Sequence, residues 1–284
     1  MKKVLFATTA LVFSAGIAAA EVTVSGSANA GFKYNEGDLD YAGKKAAGWY
    51  EIDMDVTGTT ETDSGLTFGA TVELDSDYAS AVDGTEGLTG SVFVSGAFGT
   101  FTIGSVDPMA DDSGISDIGF DGIGVDDVAG NSIYTGSADA RWDYSTGALS
   151  LGVSLHTIEE DYGLSVGYDF GMASVLVAYD HDEFNDDTGN ENDSASILLT
   201  AEMSGIEGQL FFADSDDYDQ SWGVYAAYTT GALTLEAAYG DYDGAADAAY
   251  GIGAKYDLGG ATLAGGVGKV DDMTVADLGV SFSF

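Results

Sequence analysis

Apolar and polar residues alternate along most of this chain with a period of two. In segment 276–284 every second residue is apolar, from Ala276 to Phe284, and the residues between them are Asp, Gly or Ser. Segments 66–74 and 164–170 repeat the pattern, and long stretches with a helical period are absent. Such alternation is typical of strands with one apolar and one polar face. Counting these runs predicts sixteen strands between positions 22 and 284.

The predicted connections between strands are of two alternating kinds. Every second one is a short turn that contains glycine, as at 144–148 and 229–232, whereas the others are longer and acidic, as at 180–193 and 240–247. Aromatic residues such as Tyr228 and Tyr256 fall at the turn ends of apolar faces, and Tyr179 and Tyr239 at the loop ends. An even number of antiparallel strands with short turns at one end and two aromatic levels is the pattern of a bacterial outer-membrane barrel.

Composition narrows the function classes. The chain of 284 residues holds 48 Asp and Glu against 8 Lys and Arg, a formal net charge of −40, which argues against a nucleic-acid partner. It contains no Cys, so disulfides and thiolate metal sites are excluded. The chain is 45% hydrophobic and 12% aromatic, which is unlike a disordered acidic segment. Most of the acidic residues lie in the longer connections, and most of the others lie on polar strand faces.

The first twenty residues have the pattern of an export signal. Lys2 and Lys3 precede an uncharged apolar stretch, and small residues at 18–20 precede Glu21. These features predict a signal peptide at 1–20, cleaved near Ala20, and a mature barrel at 21–284.

Three segments resemble a known family. EVTVSG at 21–26, GTFTIG at 99–104 and LGVSFSF at 278–284 are similar to segments of the alphaproteobacterial general porins, the trimeric Rhodobacter-type porins. The resemblance covers the whole mature chain. It implies a 16-stranded antiparallel transmembrane β-barrel with an inward-folded third loop, and a homotrimer in contact with outer-membrane lipid and lipopolysaccharide. Phe282 and Phe284 resemble the signal that the outer-membrane assembly machinery recognises.

The resemblance gives the longest connection, 107–131, the role of the constriction loop. It begins beside Pro108, the single proline of the chain, and carries no basic residue. Its expected constriction residues are Asp107, Asp111, Asp112, Asp117, Asp121, Asp126 and Asp127. The expected lumen wall contributes Lys33, Glu51, Asp53, Glu73, Arg141 and Lys255. Since carboxylates outnumber these cations, we expect a cation-selective pore for passive diffusion of ions and small hydrophilic solutes.

Two further hypotheses follow from the acidic connections. Oxygen ligands suit Ca²⁺, and candidate ligands are Asp182, Asp186, Asp187, Asp214, Asp216 and Asp217, although neither stretch has the spacing of an EF-hand loop. The alternative function is a secreted or surface-attached Ca²⁺-binding adhesive β-protein, which would not explain the sorting of turns. No cofactor is expected beyond this ion. The chain is not expected to be an enzyme, because His156 and His181 belong to no catalytic or metal motif.

Overall fold

A computed structural model describes residues 20–39, 43–77, 87–133, 136–183, 191–216 and 220–284. Nearly all of the predicted signal peptide therefore lies outside the described residues. The strands are β1 (Glu21–Leu39), β2 (Lys44–Glu61), β3 (Thr67–Asp77), β4 (Gly87–Gly96), β5 (Gly99–Gly104), β6 (Ala140–Thr146), β7 (Leu149–Leu155), β8 (Tyr162–Asp169), β9 (Ala173–Asp182), β10 (Asn192–Met203), β11 (Ile206–Ser215), β12 (Ser221–Thr230), β13 (Leu233–Tyr242), β14 (Ala249–Asp257), β15 (Thr262–Val270) and β16 (Met273–Ser283). A 3₁₀ turn (Met109–Asp112) and the short helix α1 (Val125–Ala129) lie between β5 and β6. Among the described residues, no helix has the length and apolarity needed to cross a membrane.

The sixteen strands form one closed antiparallel barrel. Each strand pairs with its neighbours in sequence, and β1 pairs with β16 from Ser27–Ser283 to Asn35–Val275. Phe284 extends this seam, since its backbone N–H donates to the Gly26 carbonyl and its carbonyl accepts from the Gly26 N–H, both at 2.9 Å. Closure leaves no unpaired sheet edge, which a structure inside lipid requires. The predicted fold is confirmed.

Alternation along each strand separates an apolar outer face from a polar inner face. On β2, Ile52 and Val56 lie outside while Asp53 and Asp55 lie inside, and neighbouring strands place Val24 and Val72 beside Val56. Outward side chains are well exposed, with Ile252 at 63%. A continuous exposed apolar band of this kind suits lipid rather than water.

Three connections differ from the sequence prediction by more than a few residues. The loop expected at 34–47 is much shorter, because β1 continues to Leu39 and β2 begins at Lys44. Strand β6 was expected from residue 132 but begins at Ala140, because side chains of the barrel wall bind the backbone N–H groups of Ser132 and Ser137. The connection between β15 and β16, expected as an acidic loop at 269–273, is a turn of Asp271 and Asp272 alone. Their φ angles of 50° and 58° fit the tight turn that joins antiparallel strands.

We predict that Val56→Arg destabilises the barrel in a lipid bilayer by about 2–4 kcal/mol, because it places a charge on the central lipid face. The matched control is Thr57→Arg, one residue away on the inner face, where Thr57 Oγ1 lies 2.9 Å from Thr71 Oγ1. Urea unfolding in phospholipid vesicles measures both. Equal losses of unfolding free energy in the two variants would contradict the assignment of faces.

Candidate channel constriction

The connection between β5 and β6, residues 105–139, is called the inner loop below. Its 3₁₀ turn packs against β7, β8 and β9, and α1 packs against β12, β13, β14 and β15. Side chains of β1 and β16 also contact it. A segment that touches walls on several sides of a closed barrel can only run through the interior, so the inner loop lies in the lumen.

Apolar side chains of the inner loop form the buried core of the molecule. They pack with Phe211, Tyr225 and Val275 of the wall, and the buried loop members include Met109, Ile115, Ile118, Phe120, Ile123 and Val125. Inward-facing glycines let the loop approach the wall closely. A Cβ on Gly240 would lie 2.5 Å from the Val125 carbonyl oxygen, and one on Gly223 would lie 2.5 Å from the Ala129 Cβ. Part of the high glycine content therefore provides space for the loop.

Hydrogen bonds from the backbone of the inner loop to wall side chains hold it along its length. The donor–acceptor pairs are Met109 N to Ser154 Oγ (3.1 Å), Ala110 N to Asp180 Oδ2 (3.3 Å), Ser116 N to Gln209 Oε1 (2.6 Å), Ser132 N to Ser221 Oγ (3.2 Å) and Ser137 N to Asp161 Oδ2 (2.9 Å). These wall acceptors are buried. The sequence analysis did not identify them, because a polar residue on an inner strand face carries no local signal of which loop N–H it will meet.

The lysine of β1 binds the middle of the inner loop. Lys33 forms an ion pair with the carboxylate of Asp121, and Lys33 Nζ donates a 3.0 Å hydrogen bond to the Asp121 carbonyl. The same ammonium lies 4.4 Å from the centroid of the Trp49 ring. Asn29 Nδ2 donates to both Asp121 Oδ1 (2.7 Å) and Glu51 Oε2 (2.9 Å). Two predicted wall residues and one predicted loop residue are thus joined in one network.

Arg141 and Lys255 bind the loop from other strands. Arg141 Nη2 lies 2.6 Å from Asp112 Oδ2 and 3.0 Å from Asp143 Oδ1, and Nη1 donates to the Asp107 carbonyl at 3.3 Å. Lys255 Nζ lies 2.8 Å from Glu236 Oε1 and 3.5 Å from the Asp117 carbonyl oxygen. Each of the three predicted wall cations therefore contacts the inner loop and has a carboxylate partner.

A ladder of carboxylates lines the wall on β2 and β3. The strand register places inward acidic residues directly opposite one another in three successive pairs, namely Glu51–Asp77, Asp53–Asp75 and Asp55–Glu73. Like charges in such cross-strand pairs repel. In the described part of the chain, no ion pair includes Asp53, Asp55, Glu73 or Asp75. Among the described residues, this part of the wall therefore has no cation within ion-pairing distance.

The remaining predicted constriction residues differ in environment. Asp111 is exposed, and Asp117 Oδ1 accepts a 2.8 Å hydrogen bond from the Ile118 N–H. Asp126 and Asp127 lie in the first turn of α1. Burial raises the pKa of Asp126 to about 8, assisted by a hydrogen bond and charge repulsion from Asp117, and burial also raises the pKa of Asp127. At neutral pH Asp126 is therefore mostly protonated and adds little negative charge.

The structure gives limited support for a calcium site at the predicted ligands. Asp182 is buried on the inner face opposite Asn192, whereas Asp214 lies on the outer face opposite Ala195, and Asp216 is exposed. The other three candidates, Asp186, Asp187 and Asp217, lie outside the described residues. Specific binding of Ca²⁺ stays a hypothesis.

A separate group of possible metal ligands lies between β7 and β8. His156, Glu159 and Asp161 bring ligand atoms within 4.8 Å of one another. However, His156 Nδ1 already accepts the Glu159 N–H at 2.9 Å, and the Asp161 carboxylate accepts N–H groups of Ser137 and Glu183. These hydrogen bonds account for the arrangement of the three side chains, which hold the backbone at Ser137, Glu159 and Glu183.

The comparisons with known proteins agree with this architecture. A family model described as Gram-negative porin matches residues 7–278. The chain is 27% identical over 270 residues to a porin of Fuscovulum blasticum, covering 81% of this chain and 89% of that protein. It is 29% identical over 210 residues to a porin of Rhodobacter capsulatus, covering 66% of this chain but only 62% of that protein. Solved structures of Rh. blastica porin variants match with a TM-score of 0.79 at 25% identity, covering 93% of this chain and 100% of theirs.

We predict that the stability of the wild-type protein falls, relative to Asp126→Asn, as pH rises from about 4 to about 8. The folded-state pKa of Asp126 is raised, so the protonated form favours folding at low pH and that contribution is lost as pH rises through 8. The measurement is the difference in unfolding free energy between the two proteins at several pH values. A difference that does not change across this range would show that Asp126 titrates normally.

Proposed function

Because this chain belongs to the Gram-negative porin family, we propose that it forms a water-filled channel in the bacterial outer membrane and that the channel favours cations. Ions and small hydrophilic solutes would cross by passive diffusion. A barrel of about eight strands is filled by its own side chains, whereas about sixteen enclose an aqueous channel. In this chain the inner loop would narrow that channel, with the aspartates of 107–131 at the constriction.

The distribution of charge inside the barrel supports cation selectivity. Lys33, Arg141 and Lys255 are each within 3.0 Å of a carboxylate, so their charges are compensated locally. Among the residues that the structure describes, the carboxylates of Asp53, Asp55, Glu73 and Asp75 have no such partner, and they line one continuous part of the wall. Rings or rows of carboxylates in a pore lower the energy of cations and raise that of anions. This imbalance is the observation on which the proposal depends.

Further parts of the proposal come from the family resemblance. Porins of this family are generally trimers in the outer membrane, and we infer that this chain is a homotrimer bordered by lipid and lipopolysaccharide. Phe282 and Phe284 lie on the outer face with ring centroids 6.2 Å apart, and we infer from the resemblance that the assembly machinery recognises this end of the chain. The proposed channel needs no cofactor, and bound Ca²⁺ would be an addition rather than a requirement.

We predict a reversal potential of the sign expected for K⁺ preference when single channels separate two KCl concentrations. Replacing Asp53, Asp55 and Asp75 together by Asn should shift that potential towards zero, because three uncompensated charges leave the wall. Replacing Asp112 and Asp143 by Asn is a second, independent test, since it removes the carboxylate partners of Arg141 and should also shift the potential towards zero. A chloride-preferring potential in the wild-type channel would overturn the proposal of cation selectivity.

A further inference from the structure

One buried carboxylate of the wall binds the middle of the inner loop. Asp277 of β16 faces the lumen and is only 7% exposed. Its Oδ2 accepts hydrogen bonds from the backbone N–H groups of Phe120 (2.9 Å) and Asp121 (3.1 Å), and its Oδ1 accepts from the Gly266 N–H (2.6 Å). One side chain therefore joins the inner loop to two adjacent strands of the barrel.

The ring of Phe120 packs against a glycine of β16 itself and a glycine of the adjacent β1. A Cβ on Gly279 would lie 2.5 Å from the Phe120 ring, and a Cβ on Gly31 would lie 2.8 Å from it. Gly119, with φ of 104°, directly contacts the Asp277 carboxylate where any side chain would collide. The backbone path at 119–121 is thus set by the Asp277 carboxylate and by the packing of the Phe120 ring against Gly31 and Gly279.

This contact also determines where Asp121 lies. The backbone N–H of Asp121 binds Asp277, and the side-chain carboxylate of Asp121 binds Lys33 and Asn29 on β1. If the N–H groups of Phe120 and Asp121 lost their acceptor, that of Phe120 would be buried without a partner, at a cost of about 1–3 kcal/mol, and that of Asp121 would be partly buried. The inner loop would then leave this part of the wall, and Asp121 would move with it.

We propose that Asp277 is a positioning residue for segment 119–121 of the inner loop and thereby fixes the free cross-section of the channel beside Lys33. The proposal rests on the proposed function, since it assigns to Asp277 the geometry of the constriction. Asp277 acts through the loop backbone and is not itself required to touch the diffusing ion.

The test compares single-channel recordings of four assembled proteins in planar bilayers. Asp277→Asn keeps the shape but replaces one of two acceptor oxygens by an N–H donor. Phe120→Ala removes the ring that packs against Gly31 and Gly279 without a change of charge. Asp55→Asn removes the same charge as Asp277→Asn from the inner wall without touching the loop. Heat-modifiable migration in SDS establishes assembly before recording.

We expect Asp277→Asn and Phe120→Ala each to lose the single steady open level of the wild type and to fluctuate between conductance levels. Asp55→Asn should keep a steady level and shift only the reversal potential. If Asp277 only stabilised the barrel and did not position the loop, Asp277→Asn would lower the free energy of unfolding and leave the open conductance level unchanged.

The outcomes separate the two claims. A wild-type protein that assembles but does not conduct would overturn the proposed function. A conducting wild type with an Asp277→Asn channel as steady as Asp55→Asn would overturn the role of Asp277 alone. If Asp277→Asn fails to assemble, Phe120→Ala decides, because a steady wild-type level in that variant would show that the contact at 119–121 does not fix the cross-section.

Discussion

The strict alternation of side chains on closed strands is the constraint on which the rest of this structure depends. One face of each strand meets an apolar surrounding, so nearly every carboxylate of an extremely acidic chain has to lie on the inner face or beyond the strand ends. The inner face therefore collects carboxylates with few cations to balance them. The row on β2 and β3 follows directly from the register, which places Asp53 opposite Asp75 and Asp55 opposite Glu73.

The inner loop is held against the inner face of the barrel by two kinds of contact. Its backbone donates to acceptors such as Asp180 and Asp277, which is an economical use of acidic side chains because a carboxylate can accept several N–H groups. Its own carboxylates bind the scarce cations, as Asp121 binds Lys33 and Asp112 binds Arg141. Cations used in this way no longer oppose the negative wall, so the docking of the loop and the charge of the lumen have a common origin.

Much of the fold could be predicted from the sequence because the period of two is a local property of each strand. Less of the site could be predicted. Segment 132–139 alternates well enough to resemble a strand, yet Ser221 and Asp161 bind the backbone N–H groups of Ser132 and Ser137, and β6 begins only at Ala140. The sequence identifies Asp277 only as a residue of a polar strand face, since its partners Phe120 and Asp121 are far away along the chain. The aspartates of 107–131 were identifiable as a group, but which would pair with a cation depended on the folded path.

The central claim is that the inner loop lies in the lumen and is docked on the wall, and a disulfide tests it most directly. Ser113 Oγ of the loop lies 2.7 Å from Ser196 Oγ of β10, and the chain contains no Cys of its own. With Cys at both positions, the two thiols would lie beside each other, within reach of a disulfide bond. The account predicts that mild oxidation joins residues 113 and 196 in nearly all of the membrane-inserted protein. Two free thiols after oxidation, in a barrel that is otherwise correctly assembled, would contradict it.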